Sequence, residues 1–235
     1  MSLLSLDPVK LSNVPSSSDL LAAAREHINS STTWTQKKSV GNIKIFTTKS
    51  TTNPGGPAWH CRVSEHGPDE ATFDEFWQGL GVNHSLHEKE YIPEIQSAVL
   101  VTAFEPGVSE AWTMHYKLGL MVSRRTFTEL VVTHLEETAD TPGTPKVGWL
   151  VSIPFDASET AEHQALETKG VRGKYVSIEK LTQLEDNKVE WRMATCSTPG
   201  GWIPQFLSEM AIPGAIAKDV PHFLEWVKKN RTQAQ

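Results

Sequence analysis

Six strand-like segments follow one another between Ser97 and Ser197, and that succession limits the fold more than any other feature of the chain. They span 97–104, 110–118, 127–136, 146–155, 171–184 and 188–197, each rich in β-branched and aromatic residues. Parallel neighbours need a crossover of a dozen or more residues, whereas antiparallel neighbours need only a short loop. Short loops therefore predict an antiparallel meander. Only the polar stretch 156–169 is long enough to hold more, and it reads as containing a helical turn.

Upstream, three further strands are expected at 32–40, 42–49 and 57–64, separated by the turn signals Gly41-Asn42 and Asn53-Pro-Gly-Gly56. A helix over 18–28 takes Ser18 as its cap. Thr72-Phe-Asp-Glu75 is a capping box that starts a second helix with Phe73, Phe76, Trp77 and Leu80 on one face, and a third spans 84–91 ahead of Pro93.

The C-terminal stretch Pro199–Lys229 carries Ile203, Phe206, Leu207, Met210, Ala217, Val220, Phe223, Leu224 and Val227 at helical three-and-four spacing. An interior Pro213 costs about 3 kcal/mol. Each buried Phe, Leu or Ile returns roughly 1.5–3 kcal/mol, so the stripe predicts one long helix bent at Pro213-Gly214. About nine antiparallel strands curl strongly, and such a helix laid along them buries both apolar faces. The expected fold class is α+β: a strongly curved antiparallel sheet of about nine strands wrapped around a long kinked C-terminal helix, with two short helices inserted after the third strand. Residues 1–235 are read as one domain, with 1–17 as a flexible lead.

Composition excludes several functions. With 38% hydrophobic and 21% charged residues, the chain holds no apolar run of membrane-spanning length. A net charge of -6 without a clustered basic stripe argues against nucleic acid as a partner. The first ten residues lack a basic leader and a long apolar core, so a cytoplasmic location is expected. Cys61 and Cys196 are the only cysteines, which argues against a disulfide scaffold or zinc module.

No catalytic cassette is present: no nucleophile elbow, no phosphate-binding loop and no dinucleotide glycine fingerprint. His84-Ser-Leu-His87-Glu88 lacks the His-Glu-x-x-His order of a zinc protease and reads as a solvated helix face. His60, Cys61 and His66 are metal-ligating residue types, but His60 and Cys61 are adjacent on a strand and point to opposite faces, which argues against a shared metal. No metal, cofactor or catalytic set is therefore expected.

Alternation assigns the covered face of the sheet. Trp112, Met114, Tyr116 and Leu118 share one phase, and so do Val189, Trp191 and Met193. If the last two strands turn through Asp186-Asn187 alone, Leu184 faces Val189, and Ile178, Val176 and Arg172 turn inward. A longer loop reverses that phase and sends Arg172 outward.

Four blocks in the second half resemble the START family of steroidogenic-acute-regulatory-related lipid transfer domains. Leu118-Gly-Leu-Met-Val-Ser-Arg-Arg-Thr-Phe127 resembles its loop between two central strands, and Gly170-Val-Arg-Gly173 its strand with an inward arginine. Val189-Glu-Trp-Arg-Met-Ala-Thr195 and Thr198-Pro-Gly-Gly-Trp-Ile-Pro204 are similar to its last strand and the entry to its closing helix. The resemblance runs from about Thr72 to Lys229 and is nearest to a fungal branch of that superfamily. Departures stand at Thr126 and Thr198, and Trp112 and Met114 occupy the region where sterol-type members place a carboxylate opposite the arginine.

The resemblance implies a helix-grip fold whose tunnel holds one lipid, fatty acid or sterol-like molecule. The implied lining is Trp112, Met114, Tyr116, Trp191, Met193, Phe206 and Met210, with Arg172 at a polar head and Met121, Val122 and the Pro213 bend at the entrance. It implies a non-enzymatic carrier or sensor that makes transient membrane contact. Two alternatives stand beside it: a polyketide cyclase-like enzyme using Tyr116, His134 and Arg172, and a ligand-sensing protein-interaction module.

Overall fold

The computed structural model describes residues 2–50, 56–118, 123–136, 145–167 and 169–233. In chain order the elements are β1 (Val9–Lys10), α1 (Ser17–Ser30), β2 (Thr35–Gln36), β3 (Lys44–Thr48), β4 (Trp59–His66), α2 (Phe73–Leu80), α3 (His84–Tyr91) and β5 (Ile95–Glu105). There follow β6 (Ser109–Tyr116), β7 (Arg125–Glu136), β8 (Val147–Asp156), α4 (Ala161–Leu166), β9 (Val171–Arg172), β10 (Lys174–Gln183), β11 (Val189–Thr198) and α5 (Gln205–Gln233).

The main sheet runs β2-β3-β4-β11-β10-β8-β7-β6-β5, all antiparallel, which is the helix-grip arrangement. Hairpin after hairpin from β5 onward forms the meander that the short loops dictate. The three early strands then join at the far side of β11. Two short strands pair in parallel, β1 with β8 and β9 with β7. The strand expected over 32–40 is reduced to β2, because 31–33 form a 3-10 turn instead.

Both faces of the sheet are covered. On one, Trp149, Val151 and Ile153 of β8 and Val176 and Ile178 of β10 form a core with Leu20, Leu21, Ala24 and Ile28 of α1. Residues 2–17 join that core through buried Leu4 and Leu6 and through β1. Ser16, not Ser18, caps α1: its Oγ accepts the Asp19 N–H at 3.1 Å. On the other face α2, α3 and α5 pack, with Phe223 stacked on Phe76 at 5.0 Å and edge-on to Trp191 at 5.3 Å. The Thr72–Glu75 capping box is formed.

The chain keeps α5 as one helix through both Pro213 and Pro221. Ile212, Ile216, Ala217, Val220, Phe223 and Val227 are buried along it, and their burial outweighs the lost proline hydrogen bonds. Its first turns are different: Phe206 is 62% and Met210 76% exposed.

The β10–β11 register differs from a two-residue turn. Asp186 and Asn187 both adopt left-handed conformations, Leu184 N–H bonds the Lys188 carbonyl at 2.7 Å, and Gln183 faces Val189. That one-residue shift turns Tyr175, Ser177 and Glu179 toward α5, and Val176 and Ile178 toward α1.

Candidate functional site

Where α3 and α5 cross the sheet they leave a pocket of about 150 Å³, partly open to solvent. Its floor comes from β4, β8, β10 and β11, and its polarity follows from the register just described. Ser152, Ser177, Glu179 and Thr195 all alternate onto this face, while their apolar neighbours pack against α1.

Arg62 of β4 is the central group. It is 1% exposed, its guanidinium carbon lies 3.7 Å from the centroid of the Trp191 ring, and its Nη2 is 3.6 Å from Glu179 Oε2. The Trp191 indole N–H donates to the same Glu179 oxygen at 2.7 Å. Cation, ring and carboxylate thus fix one another. Arg62 Nε and Nη1 have no hydrogen-bond partner among the described residues.

Acids face Arg62 from the helical side. Burial pushes the Glu88 carboxyl of α3 up to about 8, with Glu179 and Asp219 adding to the effect. Burial raises Asp219 of α5 to about 7; Arg62 pulls it down, and Glu179 and Glu94 push it up. His84 is held below its ordinary pKa by burial, and its Nδ1 donates to the Leu80 carbonyl at 2.8 Å. The neutral ring therefore presents Nε2 as an acceptor, 3.7 Å from Glu88 Oε2. The hydroxyls of Tyr91, Tyr116 and Tyr175 are pushed well up by burial and stay protonated. Beyond the pocket wall, Glu129 of β7 is 1% exposed, and burial raises its pKa well above the carboxylate range although the Tyr175 backbone N–H works in the opposite direction.

The residues singled out from the sequence scatter. Tyr116, Trp191 and Met193 lie on the pocket wall. Trp112 faces the same side but lines a small crevice near the α2–α3 turn, its indole N–H bonded to Glu110 at 2.9 Å. Met114 is buried in the core. Phe206 and Met210 point outward, and α5 reaches the pocket through Ile216 and Asp219, not through Pro213. Met121 and Val122 lie outside the described residues.

Arg172 is a correction: it faces away from α5 on β9, half exposed and paired with Glu167, beside a separate surface pocket of about 250 Å³. The loop between β10 and β11 is longer than two residues, and the phase reverses accordingly. His134 is exposed on the α1 side of β7, so Tyr116, His134 and Arg172 do not converge. His84 and Glu88 are also corrected, since both line the pocket instead of a solvated face.

Arg62 and Asp219 join the pocket from outside the sequence-based set, and each carries a signal in the sequence. His60, Arg62 and Ser64 alternate with Cys61 and Val63, so one face of β4 is wholly polar. Asp219 interrupts the apolar stripe of α5 three residues after Ile216 and four before Phe223.

All the charged groups of the pocket fall within residues 59–227, and over that span the sequence matches the family model described as "Protein of unknown function (DUF3074)". The chain belongs to the DUF3074 family. Among solved structures, this DUF3074 chain is similar to human StAR-related lipid transfer protein 5, at 13% identity over 92% of this chain and 96% of that one, with a TM-score of 0.73. It is also similar to human STARD10, at 11% identity over 94% and 86% of the two chains, with a TM-score of 0.68. The lipid transfer and protein localization domain of human StarD13 (DLC2) matches at 15% identity over 88% and 94%, with a TM-score of 0.63. At these identities the likeness is one of fold. No curated protein matches the sequence.

Proposed function

We propose that this DUF3074 protein binds one hydrophobic small molecule, with its polar end in the Arg62 pocket, and acts as a lipid carrier or sensor. The observation that carries the reading is Arg62 itself: a buried guanidinium with two unpartnered N–H donors in a pocket roofed by α5. Buried donors without acceptors are costly, and a ligand oxygen removes that cost. The fold is shared with proteins named for lipid transfer, which supports the same class of ligand here. Because Glu179 already balances Arg62, a carboxylate head is disfavoured against one with a hydroxyl or carbonyl oxygen.

A cavity of 150 Å³ suits a group the size of benzene, whereas whole drug-sized ligands fill about 300–1,000 Å³. The head therefore enters as the pocket stands, and the chain needs α5 to move outward. Trp202, Phe206, Leu207 and Met210 form an exposed apolar face at the start of that helix, suited to the interface of a bilayer. No helix among the described residues is long and apolar enough to cross a membrane.

Extraction and mass spectrometry of the purified protein test the reading. The expected result is a hydrophobic molecule at one per chain, lost in Arg62→Met. Failure to bind any member of a broad panel of alcohols, amines, acids, sterols and phospholipids overturns it. A second reading, acid–base catalysis in the same cavity, is favoured by the shifted carboxyls of Glu88 and Asp219 beside a neutral His84. Turnover of a polyketide-type chain that is abolished in Glu88→Gln would establish it.

A further inference from the structure

The pocket is short of positive charge. Three carboxyl groups, Glu88, Glu179 and Asp219, line it against a single cation, Arg62, because burial keeps His84 neutral. Glu179 is spoken for by Arg62 and by the Trp191 indole. Glu88 and Asp219, on the helical wall, are not. Glu88 Oε2 has no hydrogen-bond partner among the described residues, and the Asp219 carboxyl is influenced by burial and by neighbouring charges, with no hydrogen bond from a described residue among its causes. Neighbouring ionisable groups supply no cation either: Glu94, Glu129, Tyr91, Tyr116 and Tyr175 are acids, and His87 stacks near Trp226 at 5.1 Å. Across the pocket, Arg62 has the opposite deficit, two buried donors without acceptors.

We propose that the pocket receives the head of a long-chain amino alcohol, its ammonium facing Glu88 and Asp219 and its hydroxyl oxygen accepting from Arg62. This rests on the binding reading above and names the ligand class for the same site. The ammonium provides the missing cation between Glu88 and Asp219, and Tyr91 and Tyr116 line the same pocket. The oxygen accepts from the Arg62 donors that no described residue engages. A head of about six heavy atoms is the size that 150 Å³ holds. A carboxylate head adds a further negative charge beside Glu88, and a plain alcohol leaves the ammonium position unused.

The protonation of the helical wall fits this account, since burial raises Glu88 to about 8 and Asp219 to about 7. Binding an ammonium ionises them and releases protons. Affinity for the amino alcohol accordingly rises from about pH 6 to about pH 8, a range in which its ammonium stays charged even though the neighbouring hydroxyl lowers its pKa by roughly one unit from the ~10.4 of lysine.

The test is native mass spectrometry of the full chain incubated with an equimolar mixture of 2-amino-1-dodecanol, dodecylamine, 1-dodecanol and dodecanoic acid. The expected result is one bound amino alcohol, preferred over 1-dodecanol by at least about tenfold, which corresponds to a single good polar contact. Glu88→Gln and Asp219→Asn should each reduce that preference while 1-dodecanol still binds. Equal binding of the alcohol, or preference for the acid, overturns the amino-alcohol assignment and leaves the binding reading intact. Persistence of the preference in both variants together overturns the placement of the ammonium. Binding of none of the four overturns both.

Discussion

The Arg62 guanidinium lies over the Trp191 ring at 3.7 Å, and that ring's N–H is bonded to the carboxylate nearest Arg62, Glu179. The pair is thus positioned before any ligand arrives. Arg62→Met leaves Glu179 buried without its cation, and such losses cost about 3–5 kcal/mol. The expected result is a fall of that order in urea-unfolding free energy, with much of it recovered in Arg62→Met/Glu179→Gln. Arg62→Lys retains the charge and loses the planar stack, so it should fall between the two. A loss below about 1 kcal/mol in the single variant would show the pair to be dispensable.

Glu88 makes stability depend on pH in a definite direction. Its folded pKa is about 8, against roughly 4.3 in an unfolded chain. Below about pH 4 both states hold the proton and the group contributes nothing. Above that the unfolded chain ionises first, so stability falls as pH rises, by at most about 1.4 kcal/mol per unit, until about pH 8. Glu88→Gln removes this slope. It should raise the thermal midpoint at pH 8 and leave it unchanged at pH 4; an equal effect at both would mean that Glu88 is not held neutral.

The sequence made the strand succession, the capped helices and the long terminal helix legible, because each has a local cause: loop length, a Thr72–Glu75 box, a three-and-four stripe. The site was less legible because it depends on phase. The two left-handed residues Asp186 and Asn187 shift one strand by one position, and that shift exchanges Val176 and Ile178 for Ser177 and Glu179 on the pocket side. The rule that apolar residues face the covered side also misleads here, because α1 covers the second face and takes the apolar set. A cavity wall can then be polar while its strand still buries hydrophobic residues. Arg62 was readable from the polar phase of β4, but only the pairing of β4 with β11 brings it over Trp191.

Trp202 is fully exposed, and Phe206, Leu207 and Met210 continue its face along α5. Side chains that touch little contribute little to folding, so Trp202→Ser/Phe206→Ser/Met210→Ser should shift stability by no more than about 0.5 kcal/mol per site. If the face meets lipid, the same variant should lose at least tenfold in partition to phosphatidylcholine vesicles, since burying each such side chain is worth about 1.5–3 kcal/mol. Vesicle flotation reads this directly. Unchanged partition would separate the apolar face from any membrane contact.

Two glycines flanking that face should respond to alanine in opposite directions. Gly200 has φ +65°, and a Cβ there would stand 2.1 Å from the Arg172 carbonyl oxygen, a backbone atom that cannot swing aside. Gly200→Ala therefore combines left-handed strain of about 1–2 kcal/mol with displacement of the loop against β9. It should destabilise by more than the strain alone. Gly214, inside α5, has nothing within 4 Å of the same added atom. There alanine only improves helix propensity, by about 0.8–1.0 kcal/mol. Gly214→Ala should raise the unfolding midpoint, and if α5 must bend at Pro213-Gly214 to admit the ligand chain, that gain in stability should come with slower ligand uptake. Stopped-flow uptake by the two variants separates the roles: unchanged uptake in Gly214→Ala places the moving joint elsewhere, whereas slowed uptake fixes it at the turn that precedes Ile216 and Asp219.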